Sequence, residues 1–326
     1  MRPIGLFAAL ALLVAPAAHA QTAWDMHINF PAGNFDTKNA MRFAEEVEKA
    51  TGGDVVINVK AGGSLGLKGP EVLAAVRDGI VPVAHFHLDT GVGEAPFLGI
   101  QGLPYLTQGF QDAAALHELA LSHYEEIMDA NDQEILYAVF WPGAHLYTKA
   151  PISSVDDLAN LKIRTANKSS TDFFEAIGAA PVLMPWADAL VALASGGLDG
   201  IATSATSGVD GKFWEFMDAV STISYVNPTA VVTVSKGALA DLSDENRAAV
   251  LEVAERLEPQ FQAAAAAEDT ARLADLKGAG MDVSPPSADL DAALKAAGRT
   301  QWETFAADVG GPAPSVLETY RDATGR

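Results

Sequence analysis

The chain of 326 residues contains no cysteine, which excludes disulfide bonds, thiolate metal sites and lipid attachment at a processed N-terminal cysteine. Basic residues are scarce: 21 lysines and arginines stand against 42 aspartates and glutamates, a formal net charge of −21 at pH 7. Such a surface repels nucleic acid and anionic lipid, so a nucleic-acid partner is not expected. A small anionic ligand remains admissible, because exposed charges are screened beyond about 8 Å while a buried arginine acts at contact. Beyond the first twenty residues no segment offers the roughly 18 uninterrupted apolar residues of a bilayer-crossing helix. No repeat with a period of about 20–50 residues is found. His-Glu-x-x-His, the P-loop and a complete Gly-x-Gly-x-x-Gly are likewise missing, so zinc-protease, nucleotide and dinucleotide chemistry lack their parts.

What is present begins with a leader. Arg2, an apolar stretch from Ile4 to Val14, Pro16 and the small-x-small ending Ala18-His19-Ala20 predict a secretory signal removed before Gln21. The expected product is a soluble periplasmic protein of roughly 306 residues, long enough for two domains with separate cores.

Hydrophobic periodicity then reads as two α/β blocks. Strand-like alternation covers Trp24 to Phe30, and helical spacing of Ala40, Phe43, Ala44 and Val47 covers Asp36 to Lys49. A strand (Val55–Val59), a helix with proline in its first turn (Pro70–Arg77) and a strand (Val81–Phe86) complete a β-α-β-α-β order, which implies a parallel sheet. After an irregular stretch from Asp89 to Thr107 come a helix (Phe110–Ala130) and a strand (Glu134–Phe140). The second block starts near Gly143, with strands at Leu161–Arg164 and Ala180–Leu183 and helices at Ser169–Ile177, Ala187–Ser195 and Ser207–Ala219. Ala230–Val234 suits a strand returning to the first sheet, and Ser243–Leu276 predicts one long helix with a kink at Pro259.

FAEEVEKATGG (43–53), GGSLG (62–66), GLPYL (102–106), LANLKIRTAN (158–167), GAAPVLMPWADALVALASGGLDG (178–200) and KFWEF (212–216) occur in this order over nearly the whole mature chain. Together they resemble the DctP-type solute-binding proteins of tripartite ATP-independent periplasmic (TRAP) transporters. The resemblance implies an α/β, two-lobed periplasmic binding-protein fold with crossing strands and a long connecting helix. The lobes expected are 21–142 plus about 230–272, and 143–229 plus about 273–326. It also implies a non-enzymatic role: capture of a small organic acid in the cleft and delivery to the small and large permease subunits by a monomeric receptor.

Carried over position by position, the resemblance makes Arg164 the carboxylate anchor and places Asn29, His87, His145, Trp186 and Thr203 around the ligand; Phe30, at the end of the first strand, is a further ligand-binding candidate. The residues themselves support parts of this. Arg164 leaves a short strand just before a helix start at Asn167–Ser170, where a planar fork of donors and a helix N-terminus converge. Trp186 follows Pro185 and can present its indole to a cleft, although hydrophobic core is the usual fate of tryptophan. Phe30 and Trp141 each end a strand and are equally explained as structural. His87 and His145 sit at strand ends, where an imidazole can meet a ligand or be a satisfied core group. His85 and His87 share a strand face, but without clustered carboxylates no metal site and no cofactor is expected. Gly62-Gly-Ser-Leu-Gly66 matches a Gly-x-Ser-x-Gly elbow, so a secreted serine hydrolase using Ser64 is the alternative. The last histidine, His145, comes early for that fold. A 2-oxo or hydroxy acid, an aromatic acid and a sulfonate are all compatible ligands.

Overall fold

A computed structural model describes residues 21–326; the expected leader, 1–20, lies outside the described residues. The chain opens with β1 (Thr22–His27), α1 (Phe35–Ala50), β2 (Val55–Lys60), α2 (Val72–Arg77) and β3 (Val83–His87). An irregular stretch leads to α3 (Phe110–Ala130) and β4 (Gln133–Phe140). Next come β5 (Ala144–Thr148), β6 (Lys162–Thr165), α4 (Lys168–Ala176), β7 (Ala180–Leu183), α5 (Trp186–Ala194), β8 (Gly200–Ser204), α6 (Ala205–Asp210) and β9 (Ala219–Ser221). The chain closes with β10 (Thr229–Ser235), α7 (Lys236–Ala240), α8 (Asp244–Gly278), β11 (Asp282–Ser284), α9 (Ala288–Val309) and α10 (Ala313–Thr324).

Two sheets result, in the orders β2-β1-β3-β10-β4 and β11-β9-β5-β8-β6-β7. In the first, β2, β1 and β3 run parallel, as the β-α-β-α-β pattern requires, and β10 enters antiparallel between β3 and β4. The two sheets are joined by a pair of strand crossings, residues 141–143 and 222–228, which bond to each other. Trp141 N–H donates to Pro228 O (2.8 Å), Ala144 N–H to Val226 O (2.8 Å) and Tyr225 N–H to Ala144 O (3.0 Å). Their approach is so close that a Cβ on Gly143 would lie 2.1 Å from Ser224 Oγ, so only glycine fits there.

A third connection is α8, 35 residues long, which packs on α1 and β4 of one sheet and on α6 and β11 of the other. It continues through Pro259 as one helix. On either side of that proline, Glu258 and Gln262 reach the open edge of β4. Ala138 N–H donates to Glu258 Oε1 (3.2 Å), Phe140 N–H to Gln262 Oε1 (3.0 Å), and Gln262 Nε2 donates to Ala138 O (2.8 Å). The edge is thereby closed to further strands. The two-lobed α/β fold with crossing strands and a long helix is the architecture expected.

One helix expectation fails. Ser207–Ala219 is not continuous: α6 stops at Asp210, Lys212 takes a left-handed φ of 49°, Phe213 turns into the core, and the chain re-emerges as β9. Burying Phe213 beneath Tyr147, 5.0 Å between centroids, outweighs helical continuation. The sequence reading also passed over β5, β8, β9, β11, α9 and α10. Helices α9 and α10 pack against α3, α4 and the 96–107 stretch. There Trp302 Nε1 donates to Pro104 O (2.7 Å) and Tyr320 Oη to Leu106 O (3.1 Å).

Candidate functional site

The parallel strands of both sheets end at one cavity of about 120 Å³, at the place where α/β sheets receive ligands. Asn29 and Phe30 follow β1, and His87 ends β3. Trp141 starts the first crossing, while Tyr225, Val226 and Pro228 belong to the second. Arg164 stands on β6, Asn167 caps α4, Trp186 begins α5, and Ser204 and Ser207 join β8 to α6.

Aromatic rings form one part of the wall, beside polar side chains such as Asn29, Thr90, Ser170 and Ser207. Phe30 stacks on Trp141 with centroids 4.7 Å apart, Trp141 lies 4.8 Å from the His87 ring, and Trp186 lies 6.4 Å from Phe30. Trp141 is immobilised by donation from Nε1 to Ser204 Oγ (3.0 Å). Offset contacts of this kind hold the rings in place beyond the gain from burial.

Arg164 is the only lysine or arginine on the cavity wall and is 4 % exposed. Its Nε donates to Met184 O (2.9 Å), and no carboxylate of the described residues forms an ion pair with it. Burial lowers its pKa to about 10, against the opposing pull of Tyr225 and Asp89, so it stays charged at neutral pH. Asp89 follows β3, and burial raises it to about 6 even though Asn167 and Arg164 favour the carboxylate. Asn167 Nδ2 donates to Asp89 Oδ2, and Asn167 Oδ1 accepts the Ser170 N–H (2.8 Å) that opens α4. Tyr225 donates to Ser170 Oγ (3.0 Å), and burial drives its own pKa up to about 12.

His87 is held neutral, its pKa lowered to about 3, first by burial and then by His85 and Arg164. Its Nε2 is buried without a protein partner. A base whose folded pKa lies below its unfolded value contributes stability above about pH 6.5 and loses it as the unfolded state takes up protons below that. We expect long-range 1H–15N NMR to show a neutral His87 ring from pH 8 to pH 5. A charged ring at pH 6 would contradict the burial argument.

Residues 27–308 match the sequence profile of DctP, the bacterial extracellular solute-binding proteins of family 7. The chain belongs to this family. The DctP7 receptor of Bordetella pertussis, solved binding pyroglutamic acid, is 28 % identical with a TM-score of 0.89, over 92 % of this chain and 99 % of that one. A marine-metagenome TRAP solute-binding protein, solved with co-purified pyroglutamate, is 28 % identical with a TM-score of 0.88, over 93 % and 99 %. The 2,3-diketo-L-gulonate-binding periplasmic protein YiaO of Escherichia coli K12 is 23 % identical over 84 % of this chain and 85 % of its own length. The family is one of binding proteins, and the resemblance to DctP-type TRAP receptors holds.

Within this DctP protein, six of the seven expected site residues reach the cavity: Arg164, Trp186, His87, Asn29, Phe30 and Thr203. Thr203 is opposite His145 in the β5–β8 register, so strand alternation turns its side chain away from Ala202 and Ser204, and backbone is what it offers the wall.

His145 is the exception. Alternation along β5 sends Ala144 to the cavity and His145 to the opposite face, under α8. Its Nε2 lies 3.1 Å from Asp269 Oδ1, and Nδ1 accepts the Ser224 N–H (3.3 Å), a pairing that one neutral tautomer satisfies. It therefore joins the long helix to the crossing strands.

His85 reaches the cavity wall, but its Nε2 lies 2.7 Å from buried Asp36, and no cluster of three metal-ligating groups occurs among the described residues. Ser64 is an exposed turn residue between β2 and α2, and among the described residues no hydrogen bond joins it to a histidine.

The sequence reading missed Asp89 and Tyr225, which carry no local signal. Trp141, read there as equally well structural, is in the wall, and Asn167 was noticed only as a helix start.

Proposed function

We propose that this chain is the solute-binding subunit of a TRAP transporter and captures a small monocarboxylic acid for its membrane subunits. Arg164 carries the reading. It is a buried cation with Nε committed to the backbone and its remaining donors free of carboxylates, set in a partly aromatic cavity. Such a group is stable only where an anion joins it, and a carboxylate matches its paired donors. The cavity, about 120 Å³, suits a small compact acid. Pyroglutamate, bound by two relatives at 28 % identity, is a compact lactam acid of that size and the first ligand to test. Other hydroxy or oxo acids of similar bulk are next.

Capture joins lobe I, residues 21–142 with about 230–272, to lobe II, residues 143–229 with about 273–326. Among the contacts that bridge these segments are Lys68 to Asp188 (2.9 Å), Asn34 Nδ2 to Asp210 Oδ2 (2.7 Å), and Asn167 to Asp89. The closed pair is the form presented to the permease, by a monomer in the periplasm, with no covalent step. Denaturing the purified protein and analysing the released small molecules by mass spectrometry tests the reading directly. We expect one dominant small monocarboxylic acid that rebinds in titration calorimetry. A neutral sugar or a peptide in its place would refute the proposal.

A further inference from the structure

We infer that Asp89 is a specificity-determining residue: the solute is a monocarboxylate that also presents a neutral N–H or O–H donor to the Asp89 carboxylate, and dicarboxylates and donor-free acids are rejected. This rests on the organic-acid reading above and adds the second half of the ligand.

The cavity wall carries one cation and one carboxylate. Arg164 and Asp89 are its only Lys, Arg, Asp or Glu side chains, and they feel each other's charge without forming an ion pair. The wall is therefore positive at one place and negative at another, and a ligand between them meets both. Of the two histidines present, His85 is paired with buried Asp36 at 2.7 Å and His87 is neutral, so neither is free to hold a second carboxylate.

Asp89 is also fixed in place. It is 5 % exposed, and Asn167 Nδ2 occupies one of its oxygens while that asparagine is itself held as the cap of α4. Behind it, the Gly102 backbone is so near that a Cβ there would sit 2.8 Å from Asp89 Cβ and 2.9 Å from Oδ2. The carboxylate cannot swing away to make room for an anion.

An ionised carboxylate only accepts hydrogen bonds. A second ligand carboxylate placed against it adds like charge with no cation to offset it. A monoacid without a donor seals Asp89 from water and leaves its free lone pairs unpaired, the situation that binding sites reject most strongly. A lactam N–H or a hydroxyl brings the single donor that fits.

The test is a calorimetric panel at pH 8, where Asp89 is ionised, on wild type, Asp89→Asn and Arg164→Ala. The probes are matched by size: pyroglutamate against cyclopentanecarboxylate and 2-hydroxybutyrate against butyrate, with glutarate as the dicarboxylate. We expect wild type to favour the donor-bearing member of each pair by on the order of tenfold to a hundredfold, and to reject glutarate. Asp89→Asn is isosteric, keeps an acceptor for Asn167 and turns an amide N–H toward the ligand. It should collapse that ratio to less than about threefold, whereas a purely structural role would weaken both members alike and leave the ratio standing. Tight binding of glutarate or of the donor-free acids, or a ratio untouched by Asp89→Asn while binding still depends on Arg164, would overturn the Asp89 assignment alone. A blank panel on wild type, or binding indifferent to Arg164→Ala, would overturn the organic-acid reading and this inference with it.

Discussion

Arg164→Ala is expected to leave the protein folded and to weaken capture of the carboxylate ligand by roughly thirty-fold to several-thousand-fold, the equivalent of about 2–5 kcal/mol. Once the cavity closes over it, a ligand carboxylate has no other lysine or arginine on the wall to meet, and the other charged group there is the like-charged Asp89. A buried charge left without its partner costs several kcal/mol even after relaxation. The guanidinium is already oriented by its Nε bond to Met184 O, so it gives both oxygens paired donors without reorganising. Arg164→Lys keeps the charge and loses the fork, so only partial recovery is expected. Folding should survive, since removing a buried cation with no ion-pair partner removes a desolvation cost along with the charge. Titration calorimetry on the three proteins, with thermal melts as the folding control, reads both outcomes. Full affinity in a folded Arg164→Ala protein would end the carboxylate-clamp mechanism.

Trp302→Ala should be the more severe change for stability, lowering it by about 3–5 kcal/mol. Trp302 is 4 % exposed on α9, and its indole N–H is the donor to Pro104 O. One helical turn earlier, Gly298 lets α9 approach the same carbonyl: a Cβ there would lie 2.7 Å from Pro104 O. Together they press α9 onto the 96–107 stretch, a short 3-10 helix (Pro96–Gly102) and the turn after it, whose Gly102 backs Asp89. Truncating the indole opens a cavity in the core and leaves a buried acceptor unpaired. The expected fall in melting temperature is on the order of ten degrees, with urea denaturation giving the free energy. A loss below about 1 kcal/mol would mean that α9 contributes little to holding this wall.

Asp36 to Lys49 and Ser243 to Leu276 were legible because a helix that buries one face writes that face into its sequence at short range. For α1 the buried Ala40, Phe43, Ala44 and Val47 are that face. The β-α-β-α-β order of the first block, and the strand-to-helix step carrying Arg164, were legible for the same reason: each is decided by residues a few positions apart. The long helix, the two α/β blocks and the strand-to-helix step at Arg164 are therefore properties of the sequence itself.

Tertiary structure decided the rest. His145 and Ala144 are neighbours in sequence, yet a strand sends adjacent side chains to opposite faces, and which of the two meets the cavity depends on the pairing of β5 with β8. Phe213 ends a promising helix because the core under Tyr147 is open to it. Asp89 acquires its role from Asn167, 78 residues further along, and Trp141 from Ser204, 63 residues away. No window of local sequence contains both members of such a pair. Local periodicity determined which segments fold and into what. The charge pattern of the cavity was set only when chain crossing and strand register brought β3, β6 and the two connectors together, because contacts between distant residues are fixed by packing and not by spacing.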